Sequence, residues 1–253
     1  MAQLIGKAVL VTGGSRGIGA AIVKAVAHGG GFPIIHYGHR RDAAEALLKA
    51  IGGQGAIVHG DLRALQAARR IWDQAVAASP EGRIDVLVNN AAISYPSGIE
   101  AEWEQWGSDW ANTLQINVVA TADFCKEAVP HFQLNGGGRI ITLTSRAVHR
   151  GDQPQYMHYA ASKAGQAAIT KSIARAYARD HILAFNVAPG FTRTDMAEEW
   201  VQTYGEASAS GDIPLGRMAT PEEIGQIVAW LASEAPASLT GATLDANGAS
   251  YVR

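Results

Sequence analysis

The sequence predicts an α/β fold in which a single doubly wound parallel sheet of about seven strands carries helices on both faces. Three observations predict it. Short apolar runs of strand length alternate with longer alanine-rich or amphipathic segments along nearly the whole chain. The runs are apolar throughout, as strands covered on both faces are, and do not alternate polar with apolar. No Pro/Gly/Ser-rich linker interrupts the pattern, so the 253 residues read as one domain.

The first strand, residues 8–11, ends at a glycine-rich turn and leads into a helical pattern over 18–27. The alternation repeats with a strand at 33–37, a helix at 43–51, a strand at 56–59, a helix at 65–78 and a strand from 84 to 88. A long segment, 103–132, reads as helix before a β-rich run at 139–144. A helix at 159–179, a strand at 182–187, a helix at 221–232 with proline in its first turn and a last strand at 242–245 complete the series. Residues 197–212 break the rhythm, with Glu198, Glu199, Trp200, Tyr204 and a run of small residues. Within 191–213 this segment reads either as a lid over a ligand site or as a surface excursion of short helices.

A formal net charge of −2 offers no broad attraction for a nucleic-acid backbone or an anionic membrane. The segment from Met1 to Lys7 lacks the basic and then apolar stretch of a secretory signal, and no apolar run reaches transmembrane length, so a cytoplasmic location is expected. The single cysteine, Cys125, is expected to be a buried structural thiol.

Thr12-Gly13-Gly14-Ser15-Arg16-Gly17-Ile18-Gly19 joins the first strand to the first helix, where a dinucleotide fold places its phosphate turn. Residues without a Cβ let the backbone turn tightly and approach a pyrophosphate, while the helix end presents unpaired N–H groups to the anion. After the second strand comes Gly38-His39-Arg40-Arg41, with no acid before Asp42. A carboxylate there would bind a ribose 2′-hydroxyl, whereas guanidinium groups suit a 2′-phosphate. Arg16, His39 and Arg40 therefore favour NADP(H) over NAD(H), against the plainer reading of Arg40 and Arg41 as a solvated basic corner.

Tyr159 and Lys163 lie four residues apart, on one face of the expected helix. A cation beside a phenol favours phenolate and fits tyrosine for acid–base work. Tyr156 has alanine at the matching position, so the spacing selects Tyr159. Ser145 closes the strand at 139–144, at the carboxyl edge where open α/β sheets bind ligands. Asn117, in the long helical segment, is by itself a weak candidate.

Together these motifs resemble the classical short-chain dehydrogenase/reductase family over essentially the whole chain. The family's phosphate turn matches Thr12, Gly13, Gly17 and Gly19, its post-strand motif matches Asn89-Asn90-Ala91, and its active-site Asn, Ser, Tyr and Lys match Asn117, Ser145, Tyr159 and Lys163. The resemblance implies a Rossmann-type fold and cofactor contacts at Gly13, Ser15, Arg16, Gly17, Ile18, Gly19, His39, Arg40, Asp61, Leu62, Asn89, Ala91, Tyr159 and Lys163. It adds Pro189, Gly190, Thr192 and Thr194 around the nicotinamide carboxamide. It further implies that hydride passes between nicotinamide and a substrate carbon while Tyr159 exchanges a proton with the oxygen that Ser145 orients. Lys163 is expected to bind the nicotinamide ribose and lower the Tyr159 pKa, Asn117 to hold a water path, and the protein to form a homotetramer or homodimer.

Where the family motif continues with glycine this chain has Ala92. The run Tyr159 to Gly165 and Pro214-Leu215-Gly216-Arg217-Met218 are similar to 3-oxoacyl-carrier-protein reductases, but the neighbourhoods where those enzymes carry basic residues read Asn135-Gly136-Gly137-Gly138 and Arg179-Asp180-His181. A small carbonyl or alcohol substrate is expected, with a 3-oxoacyl carrier-protein or CoA substrate, or a nucleotide-binding regulator without chemistry, as alternatives. Arg146, His149, Arg150 and Asp152 should border the substrate pocket, suited to a carboxylate or a polyol, or else be ordinary loop polarity. His149 and His158 lack companions with ligand spacing, so no catalytic metal is expected.

Overall fold

Parallel strands require crossover connections, and this chain supplies a helix in each of them. The computed structural model describes residues 3–252, apart from the side chains of Met196, Glu199 and Glu206. Met1, Ala2, Arg253 and the Glu199 side chain, which the sequence reading included, lie outside the described residues. In chain order the elements are β1 (Ala8–Val11), α1 (Gly17–His28), β2 (Phe32–Tyr37), α2 (Arg41–Ala50), β3 (Ala56–His59), α3 (Ala67–Ala78), β4 (Val86–Asn89), α4 (Trp103–Leu114) and α5 (Ala120–Leu134). There follow β5 (Gly138–Leu143), α6 (Ala147–Arg150), α7 (Met157–Tyr177), β6 (Ile182–Pro189), α8 (Asp195–Tyr204), α9 (Glu206–Ser210), α10 (Pro221–Ser233) and β7 (Thr243–Ala246).

The strands form one sheet in the order β3-β2-β1-β4-β5-β6-β7, every neighbouring pair parallel. The chain winds outward from β1 to β3 and then returns to place β4 on the other side of β1, so the crevice at the carboxyl ends of β1 and β4 is the topological switch point. Successive strand residues feed opposite cores. Leu10 and Ile140 pack with Ile71, Phe124 and Phe132 on the α3/α5 face, while Val9, Val11 and Ile141 pack with Ile22, Val228 and Leu231 on the α1/α10 face. That two-sided burial is why the strands are apolar without alternation.

Two segments differ from the sequence expectation. The helix expected at 103–132 is divided by a π-helical turn, Gln115–Val119, which contains Asn117. Such turns carry one extra residue per turn and often mark functional positions. The irregular stretch at 197–212 folds into α8 and α9 around a small core of its own, in which Ala197, Ala209, Ile213 and Met218 pack with Phe191 and Trp200. Alternating small and charged residues hid that amphipathic pattern. Cys125 is buried among α5 core residues, as expected, and burial pushes its thiol up to about 12.

Candidate active site

At the switch point, Thr12 binds the ends of β1 and β4 together. Its Oγ1 donates to Val88 O at 3.2 Å and accepts from the N–H groups of Asn90 at 2.9 Å and Ala91 at 3.0 Å. Asn90 Nδ2 reaches back to Thr12 O at 2.8 Å and Gly13 O at 3.1 Å. The turn this holds is tight: a Cβ on Gly19 would stand 2.2 Å from Gly13 O, and Gly13 and Gly17 have φ of +60° and +52°. The first backbone hydrogen bond of α1 runs from Ala20 N to Arg16 O at 3.1 Å. No side chain caps the helix and no acid lies in its first turn. The N–H groups of Gly17, Ile18 and Gly19 therefore face off the helix end beside Ser15, a ready anion seat.

His36 supports this turn from β2. It is 2% exposed, its Nδ1 accepts the Gly13 N–H at 3.1 Å, and its Nε2 lies 2.9 Å from Gly60 O. Because Nδ1 must accept, Nε2 carries the proton and donates to Gly60 O, so the ring is neutral. Burial lowers its pKa to about 4.

Beyond the end of β2 come His39 and Arg40, Arg40 lying 3.7 Å from Asp42. Arg16 stands 3.9 Å from Asp195 at the start of α8. Asp61 is engaged by Arg63 at 2.6 Å, and this hydrogen-bonded guanidinium holds its pKa down at about 2. Arg63 Nη2 also lies 3.2 Å from His39 Nε2. The Leu62 side chain packs in the core, leaving only its backbone for a ligand. The Asn89 side chain turns inward to Cys125 Sγ at 3.7 Å and is buried, which leaves its backbone at the end of β4 for a ligand, while the Asn90 side chain staples the glycine turn. Ala91 packs against Gly13, where a Cβ would stand 3.0 Å from Ala91 Cα.

Ser145, Tyr159 and Lys163 converge at the carboxyl end of β5. Ser145 follows that strand, its Oγ accepting Ala147 N–H at 3.1 Å and hydrogen-bonding the Tyr159 phenol. Lys163 Nζ lies 5.7 Å from the Tyr159 ring centroid. It is 3% exposed and donates to Leu143 O at 2.7 Å and Gln166 Oε1 at 2.9 Å. Burial drives Lys163 down to about 7 and the Tyr159 phenol up to about 12, with Asp152 adding to the rise and Ser145 opposing it. Burial therefore outweighs the lowering influence on the phenol.

Asn117 is fully buried, and its amide both accepts from Ile93 N at 2.9 Å and donates to Ile93 O at 3.0 Å. It also donates to Ser162 Oγ at 2.9 Å, while its carbonyl accepts from Thr121 Oγ1 at 2.8 Å. It thus fixes the segment after β4 against α7. Pro189 ends β6, Gly190 abuts Asn247, where a Cβ would come within 2.9 Å, and Thr192 Oγ1 donates to Gly190 O at 3.2 Å. Thr194 caps α8 and lies beside Gly17. Trp200 of α8 packs against Phe191, Tyr156 and Tyr204 at 5.5, 5.4 and 4.5 Å between ring centroids.

Residues 13–248 match a family model described as enoyl-(acyl carrier protein) reductase. The chain belongs to the short-chain dehydrogenase/reductase family. Among curated relatives of this family, it is 32% identical over 252 residues to 3β-hydroxysteroid dehydrogenase 1 of Eggerthella lenta, covering 97% of this chain and 94% of that protein. It is 34% identical over 251 residues to 3-oxoacyl-[acyl-carrier-protein] reductase of Staphylococcus aureus, covering 97% and 98%. A 3-oxoacyl (acyl-carrier-protein) reductase crystal structure from Agrobacterium tumefaciens with NADP bound superposes with a TM-score of 0.87 at 31% identity, covering 97% of this chain and 95% of that one.

In this family member the sequence reading missed Arg63, Gln166, His36 and Asp212. Arg63 lies two residues past Asp61, a spacing without meaning until the chain turns. Gln166 is one turn beyond Lys163 on α7, a signal available in the spacing but unremarkable without knowledge of its burial.

Proposed function

We propose that this chain is an NADP(H)-dependent oxidoreductase acting on a small carbonyl or secondary alcohol, with Ser145, Tyr159 and Lys163 as its reacting-site groups. The observation that carries the reading is their grouping at the end of β5, at the carboxyl edge of a sheet whose neighbouring switch point holds the uncapped start of α1. The residues suit the cofactor. The N–H groups at 17–19 offer donors for a pyrophosphate, and Arg16, Arg40 and Arg63, each facing a carboxylate, bring guanidinium groups with His39 to the proposed adenosine end. The NADP in the Agrobacterium tumefaciens relative supports the same choice.

When bound, the nicotinamide supplies or accepts the hydride. In the direction of reduction, Tyr159 Oη gives its proton to the carbonyl oxygen as the carbon receives hydride, and Ser145 Oγ donates a hydrogen bond that orients that oxygen. The resulting tyrosinate is reprotonated from solvent. Lys163, held by Leu143 O and Gln166, gives a cation that favours tyrosinate whenever it is protonated. Asn117 sets the position of residue 93 and of α7 through its two-way bond to Ile93 and its bond to Ser162.

Residues 191–213 serve as the substrate lid, a role supported by their separate small core and by the position of Thr194, whose methyl would stand 3.4 Å from a Cβ at Gly17. A homotetramer or homodimer is supported by the family and by exposed Trp103 on α4 and Leu134 at the end of α5. No helix among the described residues is long and apolar enough to cross a membrane, in keeping with the cytoplasmic location we infer. The second reading, a 3-oxoacyl carrier-protein reductase, is favoured by the relatives' activities. Against it, Arg139 turns inward to Leu231 O at 2.6 Å and Ala235 O at 3.1 Å and is no docking charge for an acidic carrier.

The test is calorimetric binding of NADPH and NADH, followed by turnover of a carbonyl panel. NADPH is expected to bind the more tightly, and Tyr159→Phe to bind it normally while losing turnover. Binding of neither nucleotide, or full activity in Tyr159→Phe, overturns the reading.

A further inference from the structure

Arg146 follows Ser145 directly, and its backbone N–H is tied to Pro189 O at 3.0 Å, which holds residue 146 beside the carboxyl ends of β5 and β6. The guanidinium lies over the Phe191 ring, 5.1 Å from the centroid, with its side chain only 11% exposed. An aromatic face orients and partly dehydrates a guanidinium, which sharpens its appetite for an anion.

The protein satisfies that appetite poorly. Within ion-pair distance Arg146 has Asp212, the one carboxylate so placed among the described residues, and only Nη1 reaches it, at 3.4 and 3.5 Å. These contacts are long for charge-assisted hydrogen bonds. Asp212 is committed elsewhere, to Arg150 at 2.6 Å. Asp152 lies close enough to act on both arginines through its charge, but its Oδ1 accepts from Gln153 N, and no ion pair joins it to either arginine among the described residues. Arg146 Nε and Nη2, the side-on pair that grips a carboxylate with two parallel bonds, have no acceptor among the described residues.

We propose that Arg146 anchors an ionised carboxylate of the substrate, so that the substrates are oxo acids and the matching hydroxy acids. The inference rests on the oxidoreductase reading and narrows it. A carboxylate taken side-on by Arg146 leaves the Asp212–Arg150 pair intact, and Phe191 with Trp200 offers an apolar wall to the rest of the molecule. Because Arg146 adjoins Ser145, the anchored acid group and the reacting oxygen belong to one short molecule.

The experiment is NADPH-dependent reduction of straight-chain oxo acids with increasing separation between ketone and carboxylate, each beside its methyl ester. The acids are expected to exceed the esters in kcat/KM by roughly 10- to 100-fold, the worth of a charge-assisted pair. Arg146→Leu should collapse that preference mainly through KM, and Arg146→Lys, which keeps the charge without the fork, should restore part of it. Equal turnover of acids and esters overturns the proposal, as does an Arg146→Leu loss of equal size for both, which would make Arg146 a fastening for the lid through Asp212.

A second arm needs no turnover. Benzoate and benzamide are titrated against the NADP+-bound protein with tryptophan fluorescence as the signal. Saturable benzoate binding that Arg146→Leu removes supports the anchor, while equal binding of the two compounds, or none of benzoate, overturns it. Failure of NADPH to bind would sink the oxidoreductase reading itself, whereas NADPH binding with indifferent reduction of acid and ester sinks the carboxylate alone.

Discussion

Lys163 Nζ lies 2.9 Å from Gln166 Oε1, one turn further along α7. Gln166 donates in turn to Thr121 Oγ1 at 2.9 Å, and Thr121 to Asn117 O at 2.8 Å, so an all-protein chain of buried groups joins the lysine to the π-helical turn. In a low-dielectric interior such a chain is rigid, and breaking one link leaves an unsatisfied group.

Gln166→Leu is therefore expected to lower kcat by roughly tenfold, the value of one buried hydrogen bond to a charged group. Loss of an acceptor disfavours the ammonium, so the lysine titrates below its present value of about 7. In the proposed mechanism Lys163 assists tyrosinate only while charged, so the alkaline fall of kcat should begin at lower pH. Gln166→Glu places an anion there and should move that limb to higher pH. A kcat–pH profile unchanged in both variants would leave Gln166 a packing residue.

His36 makes stability and cofactor binding depend on acid. Its folded pKa of about 4 lies below the ordinary 6.5, so between those values the unfolded chain binds more protons than the native one. Stability is then fully present above pH 6.5 and declines as pH falls toward 4, by up to about 3 kcal/mol. A proton on Nδ1 would also oppose the Gly13 N–H. Denaturant midpoints and NADPH affinity measured over that range should fall together, and His36→Asn should flatten both; a parallel decline in the variant would assign the acid sensitivity to other groups.

The sheet was legible because burial on both faces writes itself into each strand as an unbroken apolar run, and β1, β5 and β6 read with little displacement. The Tyr159/Lys163 spacing and the glycine turn were legible for a similar reason, since helix geometry and a missing Cβ leave marks in the local sequence. What stayed hidden depends on distant partners. Whether Asn89 or Asn90 faces the turn depends on where β4 ends. The lysine's charge depends on how deeply α7 sinks against β5, and the pairing of Asp212 with Arg150 spans 62 positions.

Arg63 bears on the choice of nucleotide. It is salt-bridged to Asp61 and touches His39, at the edge where the adenosine ribose is proposed to lie. Arg63→Ala should weaken NADPH by roughly 10- to 100-fold, the cost of one charged hydrogen-bonding partner, with a much smaller loss for NADH. The double variant with Arg40→Ala should approach equal affinities. Calorimetry on both nucleotides decides it, and matched losses would make Arg63 only a clasp for Asp61.

Glycine-to-alanine exchanges at Gly19 and Gly107 should have opposite signs although both residues lie in helices. By intrinsic propensity either exchange stabilises a helix by about 0.5–1 kcal/mol. At Gly107 in α4 the new Cβ meets nothing within 4 Å, so propensity prevails and the melting temperature should rise. At Gly19 it would stand 2.2 Å from Gly13 O and 2.9 Å from Gly14 Cα, both backbone atoms of the turn, which cannot rotate away. The turn must open, the N–H groups at 17–19 lose their common aim, and Gly19→Ala should lower the melting temperature and weaken NADPH by more than about 100-fold, or roughly 3 kcal/mol. If Gly19→Ala bound NADPH as well as the parent while Gly107→Ala behaved as expected, the pyrophosphate would have to lie elsewhere than at the start of α1.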